Sequence, residues 1–276
     1  VMVMKKVFWI ILCMFFIPLV TFAGNMKLHY DRPAEYFEEA LVIGNGTMGA
    51  TLYGGVKKDK ISFNDITLWT GEPESENSSP DAFNVIPEIR ALLDNEDYEG
   101  ADKAQYKVQG HYSENYQPLG TLTIEYLDDT AGISDYHRWL DIGNATARTQ
   151  YLKDGKLFTS DYFASAPDSV IVIRLKSENK EGIHALLSFD SPLPHSSQVA
   201  DNEISVEGYA AYHSFPVYYK AEDKHRYDPE RGIHFKTLVR VLSVDGSVKN
   251  RYSDSRIEID GSTEVLILIA NVTSFN

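Results

Sequence analysis

Alternating apolar and polar residues, separated by short turn signals, run along most of the chain and are typical of half-buried β-strands. Residues 48–53 begin this pattern, and residues 122–126 alternate without interruption. Two further segments, residues 148–151 and 156–163, flank Asp154-Gly155, a dipeptide typical of two-residue hairpin turns. The pattern therefore predicts an antiparallel hairpin at this dipeptide.

Denser apolar segments at residues 170–175 and 185–189 predict central strands. Residues 233–244 predict a long strand that turns at Asp245-Gly246, and Asp260-Gly261 predicts another turn, which leads into residues 265–270. Many strands with few helices between them predict a mainly β fold, a large antiparallel β-sandwich.

One segment departs from the β pattern and predicts a short helical insertion near residues 84–108. Pro87 is typical of a first helical turn, whereas Gly100 disfavours a second helix. The apolar residues at helical spacing are Ile89, Leu92 and Leu93 in the first helix, and Tyr98, Ala101 and Val108 in the second. Residues 72–80, rich in Ser, Glu and Pro, predict a loop.

The first 23 residues have the pattern of a secretory signal peptide. Lys5 and Lys6 are followed by apolar residues 7–20 and by a small-x-small cleavage site that ends at Ala23. We therefore expect a mature chain that is secreted or periplasmic and has no membrane segment. An uncleaved anchor is the alternative, but the apolar run is shorter than the roughly 20 residues of a spanning helix.

Charge and cysteine content exclude several classes of function. The formal net charge is −14 at pH 7, which argues against nucleic acids and anionic membranes as partners, because both require clustered Lys and Arg. The single cysteine, Cys13, lies in the predicted signal peptide. The mature chain is therefore expected to have no disulfide, thiolate metal site or cysteine nucleophile.

The segment Gly44-Asn-Gly-Thr-Met-Gly49 has the spacing of a phosphate-binding loop. Such a loop needs a following helix, whose N–H groups bind the anion. Residues 50–53 are strand-like instead, so we reject dinucleotide binding. A tight turn and a close approach of backbones explain these glycines better.

Acidic and histidine residues supply no convincing catalytic or metal motif. The pairs Asp128-Asp129 and Glu38-Glu39 are best interpreted as solvated surface among 40 acidic residues. The eight histidines are scattered, without the spacing of a transition-metal site. We therefore expect no metal and no cofactor.

Aromatic residues at two predicted loops are candidates for sugar binding. Trp69 follows a predicted strand, and Tyr116 begins the loop at residues 116–120. An aromatic face beside hydrogen-bonding groups suits a sugar, which offers C–H groups on one face and hydroxyls at its edge. The alternative is that both rings only pack at a sandwich end or a domain interface.

Characteristic sequence blocks follow one another in order over almost the whole chain: residues 40–55, 61–71, 86–98, 116–120 (Tyr-Gln-Pro-Leu-Gly), 140–151, 158–175, 232–242 and 270–275. Together they resemble the opening domain of glycoside hydrolase family 95, the inverting α-L-fucosidases. The sequence departs from the family pattern at Ser160-Asp161, where Arg-Glu is usual.

The resemblance implies that residues 24–276 are the N-terminal sandwich, of the supersandwich type, of an α-1,2-L-fucosidase that acts on fucosylated glycans. In the family, a catalytic (α/α)₆ barrel follows and carries the acid and base, so no catalytic residue is assigned here. The expected partners are that barrel, in the same parent protein, and a fucosylated oligosaccharide.

The candidate substrate-binding residues are Trp69, His111, Tyr116 and Gln117, in a loop that closes one side of the sugar pocket in the whole enzyme. Two alternatives remain open. The chain is a free-standing carbohydrate-binding sandwich, or it is an inactive structural remnant whose barrel-facing surface is apolar.

Overall fold

The computed structural model describes residues 26–73, 81–110 and 112–275. Over these ranges the chain consists mostly of antiparallel strands with two short helices, which confirms the predicted mainly β fold. The signal-peptide prediction for residues 1–23 lies outside the described residues.

Among the described residues, nine strands form the larger sheet, and all neighbouring pairs are antiparallel. In spatial order they are β1 (Lys27–Tyr30), β6 (Ile133–Asp141), β7 (Thr146–Lys153), β8 (Lys156–Ser165), β9 (Val170–Ser177), β18 (Glu264–Thr273), β15 (His234–Ser243), β12 (Glu203–Tyr209) and β11 (His195–Ala200).

The smaller sheet, as far as the chain is described, has seven antiparallel strands. In spatial order they are β16 (Ser247–Arg251), β17 (Arg256–Ser262), β10 (Ile183–Asp190), β5 (Gly120–Tyr126), β4 (Lys58–Asp65), β3 (Met48–Leu52) and β2 (Leu41–Gly44). A short separate ladder joins β13 (His213–Ser214) to β14 (His225–Arg226).

The core lies between the two sheets. Ile61 and Leu122 of the smaller sheet, and Ile173 and Ile267 of the larger sheet, are fully buried and belong to one cluster. Each such side chain contributes about 1.5–3 kcal/mol on removal from water. The alternation in the sequence therefore marks the inward face of each strand.

Asp59 on β4 is a carboxylate buried in this core, with 1% of its surface exposed. It accepts hydrogen bonds from the Tyr162 hydroxyl at 2.7 Å and from the backbone N–H of Gly55 at 2.9 Å. Burial raises the pKa of Asp59 to about 6 and outweighs these two bonds, which favour the charged form.

Arg138 on β6 is also buried, with 1% exposed, and connects the segment between β1 and β2 to the larger sheet. Its guanidinium donates to the backbone carbonyls of Arg32 and Glu39, each at 2.8 Å. The same group lies 4.1 Å from the centre of the Tyr30 ring, a cation–π contact.

Two of the predicted turns are confirmed, and one is wrong. Asp154 and Gly155 have φ angles of 51° and 74° and connect β7 to β8, as a hairpin dipeptide should. Asp245-Gly246 connects β15 to β16. Asp260-Gly261 lies inside β17, where Ile183 pairs with Ser262 and His184 with Asp260, so Gly261 is the extra residue of a β-bulge.

The bulge is closely packed against two other glycines. A Cβ on Gly182 would lie 2.4 Å from the carbonyl carbon of Gly261, and a Cβ on Gly246 would lie 2.6 Å from the same atom. Three backbones therefore meet where side chains have no space. A positive-φ glycine serves a bulge as well as a turn, which is why the sequence pattern was misleading.

The helical insertion is present with corrected bounds. Helix α1 (Ala82–Asp94) begins before the predicted start, so Pro87 lies inside the helix rather than in its first turn. Helix α2 (Tyr98–Gln105) buries Ala101 and Ala104 and is followed by a 3₁₀ turn, Tyr106–Val108. Leu93 and Tyr98, two of the apolar residues at helical spacing, are exposed.

The glycine-rich segment forms the turn between β2 and β3, and a strand follows it rather than a helix. The Asn45 side chain accepts hydrogen bonds from the backbone N–H groups of Thr47 and Met48 at 3.0 and 2.8 Å. The prediction that a strand follows these glycines is thereby confirmed. Among the described residues, no helix is long and apolar enough to cross a membrane.

Candidate functional site

Three loops meet beyond the end of β4 and form a surface that we call the loop face, defined as residues 66–73, 112–119 and 211–231. The two sheets are joined beside it. Asn271 of β18 donates to the Asp65 carboxylate at 2.8 Å, and the hydroxyls of Thr67 and Thr273 lie 2.6 Å apart. These contacts fix the base from which the loops project.

Trp69 and Tyr116 lie side by side on the loop face. Their backbones form an isolated antiparallel bridge, and their ring centres are 5.3 Å apart at 52°. The two residues are 43% and 41% exposed. The indole N–H of Trp69 donates to the carbonyl of Ile66 at 3.0 Å, so that ring is held in place while part of its surface faces solvent.

The segment Tyr116–Gly120 is fixed mainly through its backbone. The N–H of Gln117 donates to the Leu68 carbonyl at 2.9 Å, and the N–H of Leu119 donates to the Phe63 carbonyl at 3.1 Å. Leu119 is fully buried. This motif therefore aligns the Tyr116 and Gln117 side chains by anchoring the chain on both sides of Pro118.

Glu114 connects all three loops. Its carboxylate accepts hydrogen bonds from the Thr70 hydroxyl and from the backbone N–H of Ser214 at 3.0 Å, and it lies 2.8 Å from Nδ1 of His213. Gly71 lies against it with φ of 107°, and a Cβ there would be 2.7 Å from Cγ of Glu114. The glycine is therefore required for this approach.

A second polar contact lies beside Glu114. The Asn115 amide donates to the Ser214 hydroxyl at 2.8 Å, and the same hydroxyl lies 2.7 Å from Nδ1 of His225. Ser214 is only 1% exposed. The serine–histidine contact therefore has a buried hydroxyl and holds the β13–β14 ladder rather than presenting a nucleophile.

The pKa of Tyr116 in the aromatic pair and that of Glu72 at the edge of the loop face are shifted in opposite directions. Burial raises the pKa of Tyr116, with a smaller contribution from the nearby Asp65 carboxylate, and a hydrogen bond with the Asn64 side chain opposes the shift. Hydrogen bonding from Arg231 lowers the pKa of Glu72 at the edge of the face. The Arg231 guanidinium also lies 3.6 Å from the centre of the Tyr212 ring.

The structure brings Trp69, Tyr116 and Gln117 together, whereas His111 lies outside the described residues. The side-chain amide of Gln117 donates a hydrogen bond to the backbone carbonyl of Tyr116 at 3.3 Å. In the described ranges, no group of three or more His, Cys, Asp or Glu side chains is placed to hold a metal ion. The predicted surface pair Asp128-Asp129 is exposed.

Sequence reasoning missed the polar centre of the face, Glu114, His213 and Ser214, and also the nearby rings of Tyr112, Tyr218 and Tyr219. Glu114 and Ser214 are 100 residues apart in sequence. The sequence feature that could have indicated these residues is the aromatic-rich segment at residues 209–219, which follows a strongly alternating strand.

The fold and the loop face define a β-sandwich domain with an exposed aromatic and polar surface. Residues 28–276 match the family described as glycosyl hydrolase family 65, N-terminal domain, and the chain belongs to that family. The chain is thus one of the N-terminal domains that this glycosyl hydrolase family groups together.

Curated relatives are fucosidases by name. The chain is 28% identical to "Alpha-L-fucosidase 2" of Arabidopsis thaliana, over 91% of this chain and 30% of that protein. It is 28% identical to "Probable alpha-fucosidase A" of Aspergillus niger, over 92% of this chain and 31% of that protein. The chain therefore spans about a third of the length of these relatives.

Among solved structures, a protein from the human microbiome assigned as a kojibiose phosphorylase aligns with a TM-score of 0.47. The alignment has 9% identity and covers 92% of this chain and 33% of that one.

Proposed function

We propose that this chain is the N-terminal domain of an inverting α-1,2-L-fucosidase of glycoside hydrolase family 95 that acts on fucosylated glycans. The names of the Arabidopsis and Aspergillus relatives support the fucosidase part of the proposal. The ordered sequence blocks, above all Tyr116–Gly120 and the glycine segment before β3, support family 95. The catalytic acid and base then belong to a partner domain of the same parent protein.

The loop face, in this proposal, lies against the catalytic domain and closes one side of its sugar pocket. The observation that carries this role is the half-exposed Trp69–Tyr116 pair, whose ring centres lie 5.3 Å apart. Ordered aromatic faces suit the C–H face of a sugar ring, and the Gln117 amide can both donate to and accept from hydroxyls. His111, five positions before Tyr116 in the sequence, is assigned the same role.

Inverting hydrolysis requires two carboxyl groups roughly 6.5–9.5 Å apart, with a water between them. Glu114 is the carboxylate at the centre of the loop face, and Thr70, Ser214 and His213 already engage both of its oxygens. We therefore assign Glu114 to loop positioning and no residue of this chain to catalysis.

The decisive experiment is kinetic and uses the full-length parent enzyme. Trp69→Ala should raise the Michaelis constant or lower turnover on a fucosylated oligosaccharide. The matched control is Tyr252→Ala, because Tyr252 is 73% exposed in the turn between β16 and β17, outside the loop face. Unchanged kinetics with reduced stability would show that Trp69 only packs.

Genomic sequence beyond the codon for Asn276 tests the domain assignment independently. An in-frame continuation that encodes a helical barrel is the expected result. A stop codon directly after Asn276 would instead favour a free-standing binding module or a remnant.

We also propose that the mature protein is secreted or periplasmic, with cleavage after Ala23. The support is the basic and apolar sequence of residues 1–23. Mass spectrometry of the secreted or periplasmic fraction should detect a mature chain that begins at Gly24. An intact N-terminus in the membrane fraction would contradict cleavage.

A further inference from the structure

Three tyrosines beside the loop-face polar centre form an exposed cluster, which we call the tyrosine platform: Tyr112, Tyr218 and Tyr219. The ring centre of Tyr112 lies 6.2 Å from that of Tyr218 and 5.5 Å from that of Tyr219, both in edge-to-face geometry. The three residues are 46%, 77% and 39% exposed. Large aromatic surface is therefore left uncovered in a defined arrangement.

The platform is connected to the loop-face polar centre by further rings. Tyr219 stacks on Phe215 at 4.7 Å and 12°, and Phe215 contacts the His213 ring at 4.4 Å. His213 in turn contacts Glu114. The same chain of contacts that orders the three loops thus also orders the platform.

Two hydrogen bonds hold together the ends of the segment that carries Tyr218 and Tyr219. The N–H of Phe215 donates to the carbonyl of Lys224 at 3.0 Å, and the Lys224 ammonium donates to the carbonyl of Val217 at 2.7 Å. Part of the cost of ordering the rings is therefore met before any ligand binds, which favours binding.

We propose that the tyrosine platform binds a neutral oligosaccharide, namely the part of a fucosylated glycan that lies beyond its terminal fucose. The choice of glycan rests on the proposed function, whereas the residues and the class of ligand rest on the platform itself. The site is separate in residues from the Trp69–Tyr116 pair. Its role is to hold the remainder of the glycan.

The chemistry of the platform fits a sugar. An open cavity of about 570 Å³ is bordered by Tyr218, Tyr219, Lys220 and Glu222. Ring faces meet the C–H faces of pyranose rings, while phenol, ammonium and carboxylate groups at the edge reach hydroxyls.

The charged residues at the edge of the platform favour a neutral ligand over a charged one. Residues 220–224 carry two cations, Lys220 and Lys224, and two anions, Glu222 and Asp223, so this edge has no net charge. A hydrated edge with balanced charge suits a neutral, hydroxyl-rich ligand.

The test is a titration of the purified mature chain, residues 24–276, with 2′-fucosyllactose and with lactose, monitored by saturation-transfer NMR and calorimetry. We expect both sugars to bind, with contacts from the galactose and glucose rings. Tyr218→Ala and Tyr112→Ala should each weaken binding by about tenfold. Tyr252→Ala, at a residue that is exposed to nearly the same extent as Tyr218 and is not part of the loop face, should leave binding unchanged.

Two results would overturn the proposal: no detectable binding by the unmodified chain, or equal affinity of Tyr218→Ala and the unmodified chain. If the platform instead contacts the catalytic domain, Tyr218→Ala will lower the melting temperature of the full-length enzyme without changing glycan affinity, which also refutes it. Failure of the fucosidase assignment is recognised separately. In that case the full-length enzyme would not hydrolyse an aryl α-fucoside, whatever the chain binds.

Discussion

Nδ1 of His213 lies 2.8 Å from Oε1 of Glu114, and this contact joins two loops whose residues are 99 positions apart in sequence. Glu114 also accepts from Thr70 in a third loop. A single carboxylate therefore holds together the loops that carry the Trp69–Tyr116 pair and the tyrosine platform.

Replacement of Glu114 by alanine should loosen the loop face. Ser214 is only 1% exposed, and its backbone N–H would lose the Glu114 carboxylate as its acceptor. An unsatisfied buried donor costs about 1–3 kcal/mol, so urea unfolding should detect a loss of that size. Proteolysis of residues 215–224 should become faster. Glu230→Ala, at an exposed position of the same loop face, should behave like the unmodified protein.

The buried Asp59 predicts a stability that falls as pH rises. Its pKa is about 6 in the folded protein against 3.8 for the unperturbed group, so the folded state holds the proton more tightly. Its contribution is fully present below the unfolded value and is lost as pH rises through about 6. Asp59→Asn, which cannot ionise, should gain about 2.5 kcal/mol relative to the unmodified protein between pH 4 and pH 7.5.

Urea unfolding at a series of pH values measures this difference, since the other titrating groups cancel between the two proteins. Asp129→Asn is the control of opposite sign, because hydrogen bonding from Lys153 lowers the pKa of Asp129 and its contribution is lost as pH falls. A difference that stays constant with pH would contradict a raised pKa for Asp59.

Alanine substitutions at Gly246 and Gly155 compare how much stability is lost with and without close packing at the bulge. Both have positive φ, 66° and 74°, at hairpin turns. A Cβ on Gly246 would lie 2.6 Å from the Gly261 carbonyl carbon, whereas a Cβ on Gly155 meets nothing within 4 Å. Gly155→Ala should cost about 1 kcal/mol from backbone strain, and Gly246→Ala roughly 1–3 kcal/mol more from the overlap.

Thermal and urea unfolding of the two variants give this comparison directly. Equal destabilisation by Gly155→Ala and Gly246→Ala would mean that the bulge relaxes to accept a methyl group.

Arg138→Ala should be far more destabilising than loss of a surface arginine. Its guanidinium supplies the hydrogen bonds to the Arg32 and Glu39 carbonyls that hold the segment before β2. Truncation of such a buried, multiply bonded group costs roughly 3–5 kcal/mol in urea unfolding. Arg174→Ala, in an exposed pair with Glu264, should cost less than about 1 kcal/mol. Similar losses would refute the structural role of Arg138.

Features set by local chemistry were predictable from the sequence. The Asp154-Gly155 hairpin follows from turn stereochemistry, and the alternation at residues 122–126 gives the buried face of β5. Asp260-Gly261 was misinterpreted because a bulge and a turn use the same positive-φ glycine. Only its partners Ile183 and His184, about 78 residues earlier in the chain, distinguish the two.

Within the candidate site, only residues whose type alone suggests sugar binding were predictable from the sequence. Trp69 and Tyr116 are candidates for sugar binding by residue type and predicted loop position, but nothing local indicates that they pair across 47 positions. Glu114 resembles any other surface acid in sequence. Its importance comes from Thr70 and His213, which only the assembled sheets bring to it.

The wide sequence separation of the three loops determines when the loop face can form during folding. The contact between Thr70 and Glu114 spans 44 positions, and that between Asn115 and Ser214 spans 99. Closing such long loops is slow unless the strands at their ends are already paired. The surface is therefore completed late, and a ligand or antibody specific for it would distinguish fully folded chains from partly folded ones.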